Sequence, residues 1–349
     1  MTTAHQSDSP KARIDAGLKH LWYPVLASWQ LGSTPRGITR LGTSLVLWRN
    51  SEGQIHAVED RCPHRGARLS LGCASHDRIA CWYHGVEVDA QGVVANVPAA
   101  DHANMRGRKA LISFPVEERQ GAIFVWFGGG DAPPLRLPHE PTSQEFSGFL
   151  CTAVWRCNYR YAHDNLMDLM HGAYLHAVSH SMSGGEKRAS MEVVDTPDGF
   201  IFRKTDQAEL NFDWVEFMDL DAHWMRATVP YGPGAGPGGP FWIIGGVVPI
   251  DNNTCQVFFW RLRKVSGWQR AAWRFLYRTK LEARHWAVLE QDREVLEGLI
   301  PDARDHESLY SHDAGLVRLR RLLSRAAESE LRLEAQAEHH AVSWSETRA

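Results

Sequence analysis

The spacing of apolar and polar residues divides the chain into an all-β first part and a mixed second part. From Leu21 to about Phe127, short segments of β character such as SLVLWR, QIHAVED and AIFVWF alternate with turn residues. A stretch rich in Gly, Pro and Ser, from Gly128 to Gly148, has no period and is typical of a connection between domains. We therefore expect a small β domain before this connection.

Beyond the connection, strand patterns and helical patterns both occur. TAVWRCNYR, FWIIGGVV and CQVFFWRLR have the pattern of strands, and PIDNNT between the last two is typical of a hairpin turn. From about Trp268 to Leu299 the pattern is helical, and Gly298 and Pro301 mark its end. The second part is therefore expected to be α+β.

Length and composition agree with two folded domains. The chain has 349 residues, of which 44% are apolar and 23% charged, as in globular proteins. The predicted segments are a β domain at 20–130, a linker at 131–148, an α+β domain at 149–325, and flexible tails at 1–19 and 326–349.

The charge balance narrows the range of partners. A formal net charge of −3 provides no broad basic field, so we expect no nucleic-acid or membrane partner and instead a small-molecule substrate. The N-terminal stretch is polar, and no apolar run approaches the ~18 residues of a membrane span, which predicts a cytoplasmic protein. Six scattered cysteines then favour free thiols or metal ligands over disulfides.

Two short motifs place cysteine and histidine together. Cys62 is followed by His64 in RCPHRG, and Cys81 is followed by His84 in CWYHG. In a Rieske [2Fe–2S] centre two cysteines bind one iron and two histidines the other, so each loop delivers one ligand of each kind. The alternative is a Cys₂His₂ zinc site, but zinc frameworks usually pair cysteine with cysteine and histidine with histidine in sequence. The spacing therefore predicts a Rieske centre.

A second polar constellation lies in the apolar segment DNLMDLMHGAYLH. On a helix, Asn165, Asp168 and His171 fall along one face. His176 lies roughly 140° away from His171, so both reach one metal only if the helix bulges or ends near Gly172. Two imidazoles and one carboxylate on one face of a metal are the ligands of O₂-activating Fe(II) enzymes. A third ligand is then required.

Asp292 is the predicted third ligand. Its helical neighbours at three and four positions are all apolar: Val288, Leu289, Val295 and Leu296. A carboxylate buried in such a stripe needs a partner or a metal. The alternative interpretation is a buried acid paired with an arginine. Other candidate ligands lie in less regular surroundings: Asp302, Asp305 and Asp313.

Taken in this order, the two constellations resemble the Rieske non-haem iron oxygenases, specifically their terminal oxygenase component, over about residues 20–325. NLMDLMHGAYLH and EQDREVLE are most similar to the vanillate O-demethylase and dicamba monooxygenase branch. That branch has two residues between the Asn and the Asp, whereas ring-dihydroxylating enzymes such as naphthalene dioxygenase usually have three. The resemblance implies a helix-grip catalytic domain, a curved antiparallel sheet around a long helix.

The resemblance also implies a role for each polar residue. It implies two ligand sets, with Cys62 and Cys81 on one cluster iron, His64 and His84 on the other, and His171, His176 and Asp292 on a mononuclear Fe(II). Asp168 matches the family's bridging aspartate, which implies a homotrimer in which it links His171 of one subunit to a cluster histidine, His84, of the next. Asn165 matches a position that orients groups close to the iron.

The implied function is oxygenation of a small aromatic substrate with O₂. Electrons come from NAD(P)H through a separate reductase, with or without a ferredoxin between them, because no G-x-G-x-x-G turn in the chain leads from a strand pattern into a helix pattern, as a dinucleotide site requires. The expected reaction is O- or N-demethylation of an aromatic acid. The alternatives are cis-dihydroxylation of an aromatic ring and, from another class, a Rieske electron-transfer protein without oxygenase activity.

Residues of the substrate pocket are less defined by pattern. Five aromatic residues lie in segments expected to form it, although packing inside the sheet is the favoured interpretation for each: Trp224, Phe241, Trp242, Phe258 and Trp260. Four arginines are candidates for binding a substrate carboxylate, with a surface or capping role favoured for each: Arg160, Arg203, Arg226 and Arg261.

Overall fold

The chain forms two compact units. The structure is a computed structural model that describes residues 9–100, 103–179, 184–231, 236 and 238–346, with side chains described as far as 336. The first unit consists of Lys19–Leu135 together with Val248–Asp251. The second unit consists of the remaining segments, Met1–Leu18, Arg136–Val247 and Asn252–Ala349.

The described part of the first unit contains strands and short 3₁₀ turns but no α-helix. Its strands are β1 (Trp22–Ala27), β2 (Arg36–Arg40), β3 (Thr43–Arg49), β4 (Ile55–Glu59), β5 (Cys73–Ser75), β6 (Arg78–Ala80), β7 (Glu87–Asp89), β8 (Val94–Asn96), β9 (Ser113–Phe114), β10 (Val116–Arg119) and β11 (Ala122–Trp126). They form three antiparallel sheets, in the orders β1-β11-β10, β2-β3-β4-β9 and β5-β6-β7-β8. The prediction of an all-β first domain is confirmed.

The core of the first unit supports the two cysteine loops. In β3 both faces are covered, so Leu45–Trp48 are buried without alternation. Val58 and Ile79 belong to one hydrophobic cluster that also contains Cys62 and Cys81. The two thiols therefore pack against buried apolar side chains, which fix the position of both loops.

The second unit is built on one seven-stranded antiparallel sheet. Its strands are β12 (Phe146–Trp155), β13 (Met191–Thr196), β14 (Gly199–Lys204), β15 (Trp214–Asp219), β16 (His223–Val229), β17 (Phe241–Asp251) and β18 (Thr254–Lys264). The order is β12-β18-β17-β16-β15-β14-β13. The predicted hairpin is present, with β17 and β18 adjacent in the sheet and joined through Asn252 and Asn253.

The helices of the second unit are α1 (Pro10–Ala16), α2 (His139–Thr142), α3 (Tyr159–Met167), α4 (His171–Leu175), α5 (Gly267–Leu276), α6 (Glu282–Glu297) and α7 (Ala314–Glu346). A π-helical turn, Tyr277–Leu281, separates α5 from α6 inside the helix predicted from the pattern. The long helix α7 packs against β13 and β14. The α+β class with a large antiparallel sheet and helices is confirmed. No described helix is long and apolar enough to cross a membrane.

The expectation of flexible tails at 1–19 and 326–349 is wrong for the parts that the structure describes. The described N-terminal segment contains the short helix α1 (Pro10–Ala16), which is capped by the Ser9 side chain and packs on α7. The buried Arg13 binds Glu330 and Glu334 of α7, and Ala327 is also buried. Each of the two terminal segments is polar in sequence, but in the structure they pack against each other and bury these side chains. Residues 1–8 and 347–349 lie outside the described residues.

The predicted linker at 131–148 also contains regular structure. Its His139–Thr142 segment is helical, with Glu140 buried and paired with Arg226 at 2.8 Å. Strand β12 begins inside the predicted linker, since Phe146 already pairs with Lys264 of β18. A Gly- and Pro-rich composition therefore concealed the start of the second unit's edge strand.

Candidate active site

The two cysteine loops share one backbone turn. The Gly66 N–H donates to the Cys62 carbonyl at 2.9 Å, and the Gly85 N–H donates to the Cys81 carbonyl at 2.8 Å. Both glycines have positive φ, at 77° and 69°, a conformation that costs other residues conformational energy. The repeated turn presents each cysteine together with the histidine that follows it.

The two cysteines and two histidines of these loops differ in burial. Cys62 and Cys81 are each 3% exposed, and their thiols lie within hydrogen-bonding reach of each other. Burial, with the neighbouring Cys81, raises the pKa of the Cys62 thiol. His64 and His84 are exposed, with ring centroids 4.8 Å apart. Two thiols inside and two imidazoles outside match the division of ligands in a Rieske cluster better than mixed zinc coordination.

Asn165, Asp168 and His171 do not lie on one continuous helix. Helix α3 ends at Met167, and Asp168 is extended. The Asp168 carboxylate accepts the N–H groups of Met170 at 2.7 Å and His171 at 3.3 Å, so it caps the turn that starts α4. The expected bulge or end near Gly172 is therefore replaced by a break at Asp168, and α4 ends immediately before His176.

This break brings His171, His176 and Asp292 together. One ligand atom from each lies within 4.8 Å of the others. Asp292 Oδ1 is 3.2 Å from His176 Nε2 and 3.5 Å from His171 Nε2. The two imidazole rings are 5.1 Å apart and nearly perpendicular. The geometry is that of two imidazoles and one carboxylate aimed at a shared point.

Hydrogen bonds to the far sides of both rings orient them. With the proton on Nδ1, His171 donates to the Asp168 carbonyl at 2.7 Å, and His176 donates to Gln291 Oε1 at 2.9 Å. Each ring then presents an unprotonated Nε2, the form that binds a metal. His176 Nε2 and Asp292 Oδ1 are buried and have no hydrogen-bond partner among the described residues. A divalent cation would satisfy both atoms, so the donor set fits mononuclear iron.

The alternatives for the third ligand lie elsewhere. Asp292 is 5% exposed and, among described residues, forms ion-pair contacts with the two histidines and with no arginine. Asp302 is exposed in a left-handed turn, Asp305 is exposed and pairs with Lys11, and Asp313 accepts a backbone N–H in a 3₁₀ turn. Among the described residues, these three acids are not grouped with His171 and His176.

An apolar cavity of about 90 Å³ adjoins His171, His176 and Asp292. Besides the three predicted ligands, its polar lining residues are Asn165, Arg261 and His285. The apolar lining residues are Leu166, Phe212, Val215, Met225, Ala227, Val229, Phe241, Ile243, Gly245, Phe259, Val288 and Leu289. Asn165 therefore lines the cavity beside the three predicted ligands.

Strand alternation decides which aromatic residues reach the cavity. Phe241 lines it, together with Phe259, which pattern analysis did not single out. Trp224, Trp242, Phe258 and Trp260 are not among the lining residues, and Trp224 packs against Trp260 with ring centroids 5.4 Å apart. Neighbouring positions on a strand face opposite sides, and core packing, the favoured interpretation, holds for the buried Trp224, Phe258 and Trp260. Trp242 is only half-buried and packs against Phe146 and Trp214.

The four candidate arginines differ in their partners and in whether they line the cavity. Arg160 pairs with Asp15, Arg203 with Glu192, and Arg226 with Glu140 and Glu216. Arg261 alone of the four lines the cavity, and it is 3% exposed. A surface or capping role is therefore wrong for Arg261. No periodic signal separated this arginine from the other three.

Comparison with known families gives an independent test. Residues 21–115 match the Rieske [2Fe-2S] domain, and residues 155–329, about half of the chain, match the vanillate O-demethylase oxygenase C-terminal domain. The chain belongs to the Rieske non-haem iron oxygenases. The family carries a Rieske [2Fe–2S] cluster and, in its catalytic domain, a mononuclear iron.

Individual relatives of this chain belong to the same family. It is 36% identical to the vanillate O-demethylase oxygenase subunit of Pseudomonas sp. (strain HR199 / DSM 7063), over 46% of each chain. It is 34% identical to the oxygenase component of dicamba O-demethylase from Stenotrophomonas maltophilia, over 46% of this chain and 48% of the relative. The matched region thus spans about half the length of each relative.

A solved complex between oxygenase and ferredoxin in carbazole 1,9a-dioxygenase has the same fold. Its TM-score with this oxygenase is 0.74 at 22% identity, and the match covers 90% of this chain and 91% of that chain. At this identity the likeness concerns the fold. It extends across both the Rieske domain and the catalytic domain.

Gln291 is a residue that sequence analysis missed, and its removal should weaken iron binding. In Gln291→Leu the His176 Nδ1–H loses its acceptor, so the ring is no longer held with Nε2 toward the site. We expect iron affinity at the mononuclear site to fall by about 10- to 100-fold, with the cluster retained. Iron titration of the chelator-treated protein measures this. Gln291→Glu keeps an acceptor, and Glu290→Gln alters the preceding side chain, which pairs with Arg293 and not with His176. Normal iron affinity in Gln291→Leu would contradict the assigned role.

Proposed function

We propose that this chain is the terminal oxygenase of a multicomponent system that removes an O- or N-methyl group from an aromatic acid. One observation carries the proposal: two imidazoles and a buried carboxylate converge at the wall of an apolar cavity. For an O-methyl substrate the balanced reaction consumes one O₂, one NAD(P)H and one proton. It gives the phenol, formaldehyde, water and NAD(P)⁺.

The proposed ligands are Cys62, His64, Cys81 and His84 for the cluster and His171, His176 and Asp292 for the mononuclear iron. When bound, the cluster supplies electrons and the mononuclear iron supplies O₂ activation. These three residues would hold the iron from one side, and small molecules could reach it from the adjoining cavity. The apolar lining excludes water from the substrate, and Asn165 is placed to orient groups at the site.

Several observations support demethylation over the alternatives. Two relatives are O-demethylase oxygenases, and the C-terminal family model is that of vanillate O-demethylase. Ring cis-dihydroxylation is the second candidate, because a carbazole dioxygenase shares the fold. An electron-transfer protein without oxygenase activity would leave His176 Nε2 and Asp292 Oδ1 buried without a function.

The proposal includes partners. A separate NAD(P)H-dependent reductase must deliver electrons, and the oxygenase–ferredoxin complex of the structural relative supports a ferredoxin between them. We further propose a homotrimer in which Asp168 links His171 of one subunit to His84 of the next. The Asp168 side chain is 40% exposed, which leaves its carboxylate accessible to a neighbouring subunit. A cytoplasmic location, with free cysteines, completes the proposal.

Product analysis distinguishes the two reactions. The iron-loaded protein, NADH and a surrogate reductase are incubated with matched methoxy-, N-methyl- and unsubstituted aromatic acids, and formaldehyde and product mass are measured together. We expect formaldehyde in equal amount to a product that has lost one methyl group. A product that gains two oxygen atoms and two hydrogen atoms, without formaldehyde, would instead establish ring cis-dihydroxylation.

A further inference from the structure

One buried charge in the cavity wall has no counter-ion within the described structure. Arg261, on β18, is 3% exposed and lines the cavity beside the predicted iron ligands. Among described residues it forms no ion pair, and its Nη2 is buried without a hydrogen-bond partner. A buried guanidinium left in this state carries a large desolvation cost unless a ligand supplies the missing charge.

The guanidinium is held in place by two neutral groups. Its Nη1 donates to the Tyr277 hydroxyl at 3.0 Å, and its Cζ lies 5.0 Å from the centroid of the Trp286 ring. Tyr277 begins the π-helical turn between α5 and α6, an irregularity that is common at functional sites. The contacts fix one side of the guanidinium, while Nη2 is buried and has no hydrogen-bond partner among the described residues.

The neighbouring titratable groups do not neutralise Arg261. Burial raises the pKa of Tyr277 to about 12 and that of Cys151 to about 11, so both remain uncharged at neutral pH. Glu282, whose charge acts on both groups, forms its ion pair with Arg278 at 3.7 Å. The positive charge therefore faces an apolar cavity without compensation from these neighbours.

We infer that Arg261 is the specificity residue for the carboxylate of the substrate. Its Nη2 would donate a charge-assisted hydrogen bond to the carboxylate, while the apolar wall receives the ring. The inference rests on the proposed function and deepens it, because it states which side chain selects acids. The neutral amide of the same acid would leave the charge unmatched and should bind more weakly.

Binding without turnover tests this inference. The iron-loaded protein is titrated anaerobically, without reductase, with 4-methoxybenzoate and with 4-methoxybenzamide, and heat is measured. We expect the wild-type protein to bind the acid at least about tenfold more tightly than the amide. In Arg261→Gln the Kd of the acid should rise by about 10- to 100-fold, and the Kd of the amide should change by less than about threefold.

Arg263 provides the matched control. It lies two residues further along β18 and is 1% exposed, but its Nη2 already donates to the carbonyls of Gly236 and Gly239. Arg263→Gln removes the same charge from the same strand and should preserve the preference for the acid. Equal loss in both variants would show a long-range charge effect and overturn the inference.

A second variant covers the case in which Arg261→Gln does not fold, judged by thermal unfolding. Tyr277→Phe keeps the charge and releases Nη1, so the acid-to-amide preference should fall by about threefold or more. An unchanged preference in the folded variants, or a wild-type protein that binds both compounds equally, overturns the inference. A protein that prefers acids but forms no formaldehyde contradicts the proposed function alone.

Discussion

Replacement of His171 by Ala is expected to remove the mononuclear iron and abolish turnover while the Rieske cluster remains. His171 Nε2 is one of three atoms that face the shared point, and it lies 3.5 Å from Asp292 Oδ1. Two remaining protein ligands hold a divalent ion weakly. Iron should fall from about three to about two atoms per chain, with the visible absorbance of the cluster unchanged.

The measurement combines elemental analysis, visible spectra and product formation in the same preparation. Asp292→Asn should give the same result, because it removes the charge of the third ligand with little change in shape. His306→Ala, at an exposed position away from the cavity, is the control and should retain iron and turnover. A His171→Ala protein with full activity would refute the mononuclear assignment.

The predicted ligands could be found from sequence because each motif is local. Cys62 and His64 are two residues apart, as the spacing in a metal-binding turn requires, and the glycine that permits the turn follows closely. Asp292 could be selected because a carboxylate within an apolar helical stripe is anomalous wherever that helix packs. Such anomalies are visible without knowledge of the fold.

The remaining features depend on tertiary contacts that no local pattern records. Gln291 precedes Asp292 and has a polar neighbourhood in sequence, yet in the structure it reaches His176 across 115 residues. The break at Asp168 overrides the helical pattern because its carboxylate accepts the N–H groups of Met170 and His171. Arg226 is paired with Glu140 and Glu216, which come from other elements, whereas Arg261 forms no ion pair among the described residues.

The structure shows Asp168 in a capping role, and the link between subunits proposed above is a second role that would depend on its charge. Its Oδ1 accepts two backbone N–H groups and starts α4, and its carbonyl orients His171. The other carboxylate oxygen, Oδ2, lies 3.9 Å from His171 Nδ1, on a side chain that is 40% exposed. Asn can replace the first acceptor, because its side-chain oxygen has the same position. It replaces the second oxygen with an uncharged N–H donor.

Asp168→Asn is therefore expected to retain both metal centres and lose at least about 99% of turnover, because the proposed link between subunits requires an acceptor at Oδ2. Rapid mixing gives the decisive measurement: on addition of substrate and O₂, the reduced-cluster spectrum should decay in the wild-type protein and persist in the variant. Asp195→Asn removes an exposed carboxylate paired with Arg318 and serves as the matched control. Normal decay and turnover in Asp168→Asn would exclude Asp168 from the electron path, because its capping role alone survives the substitution.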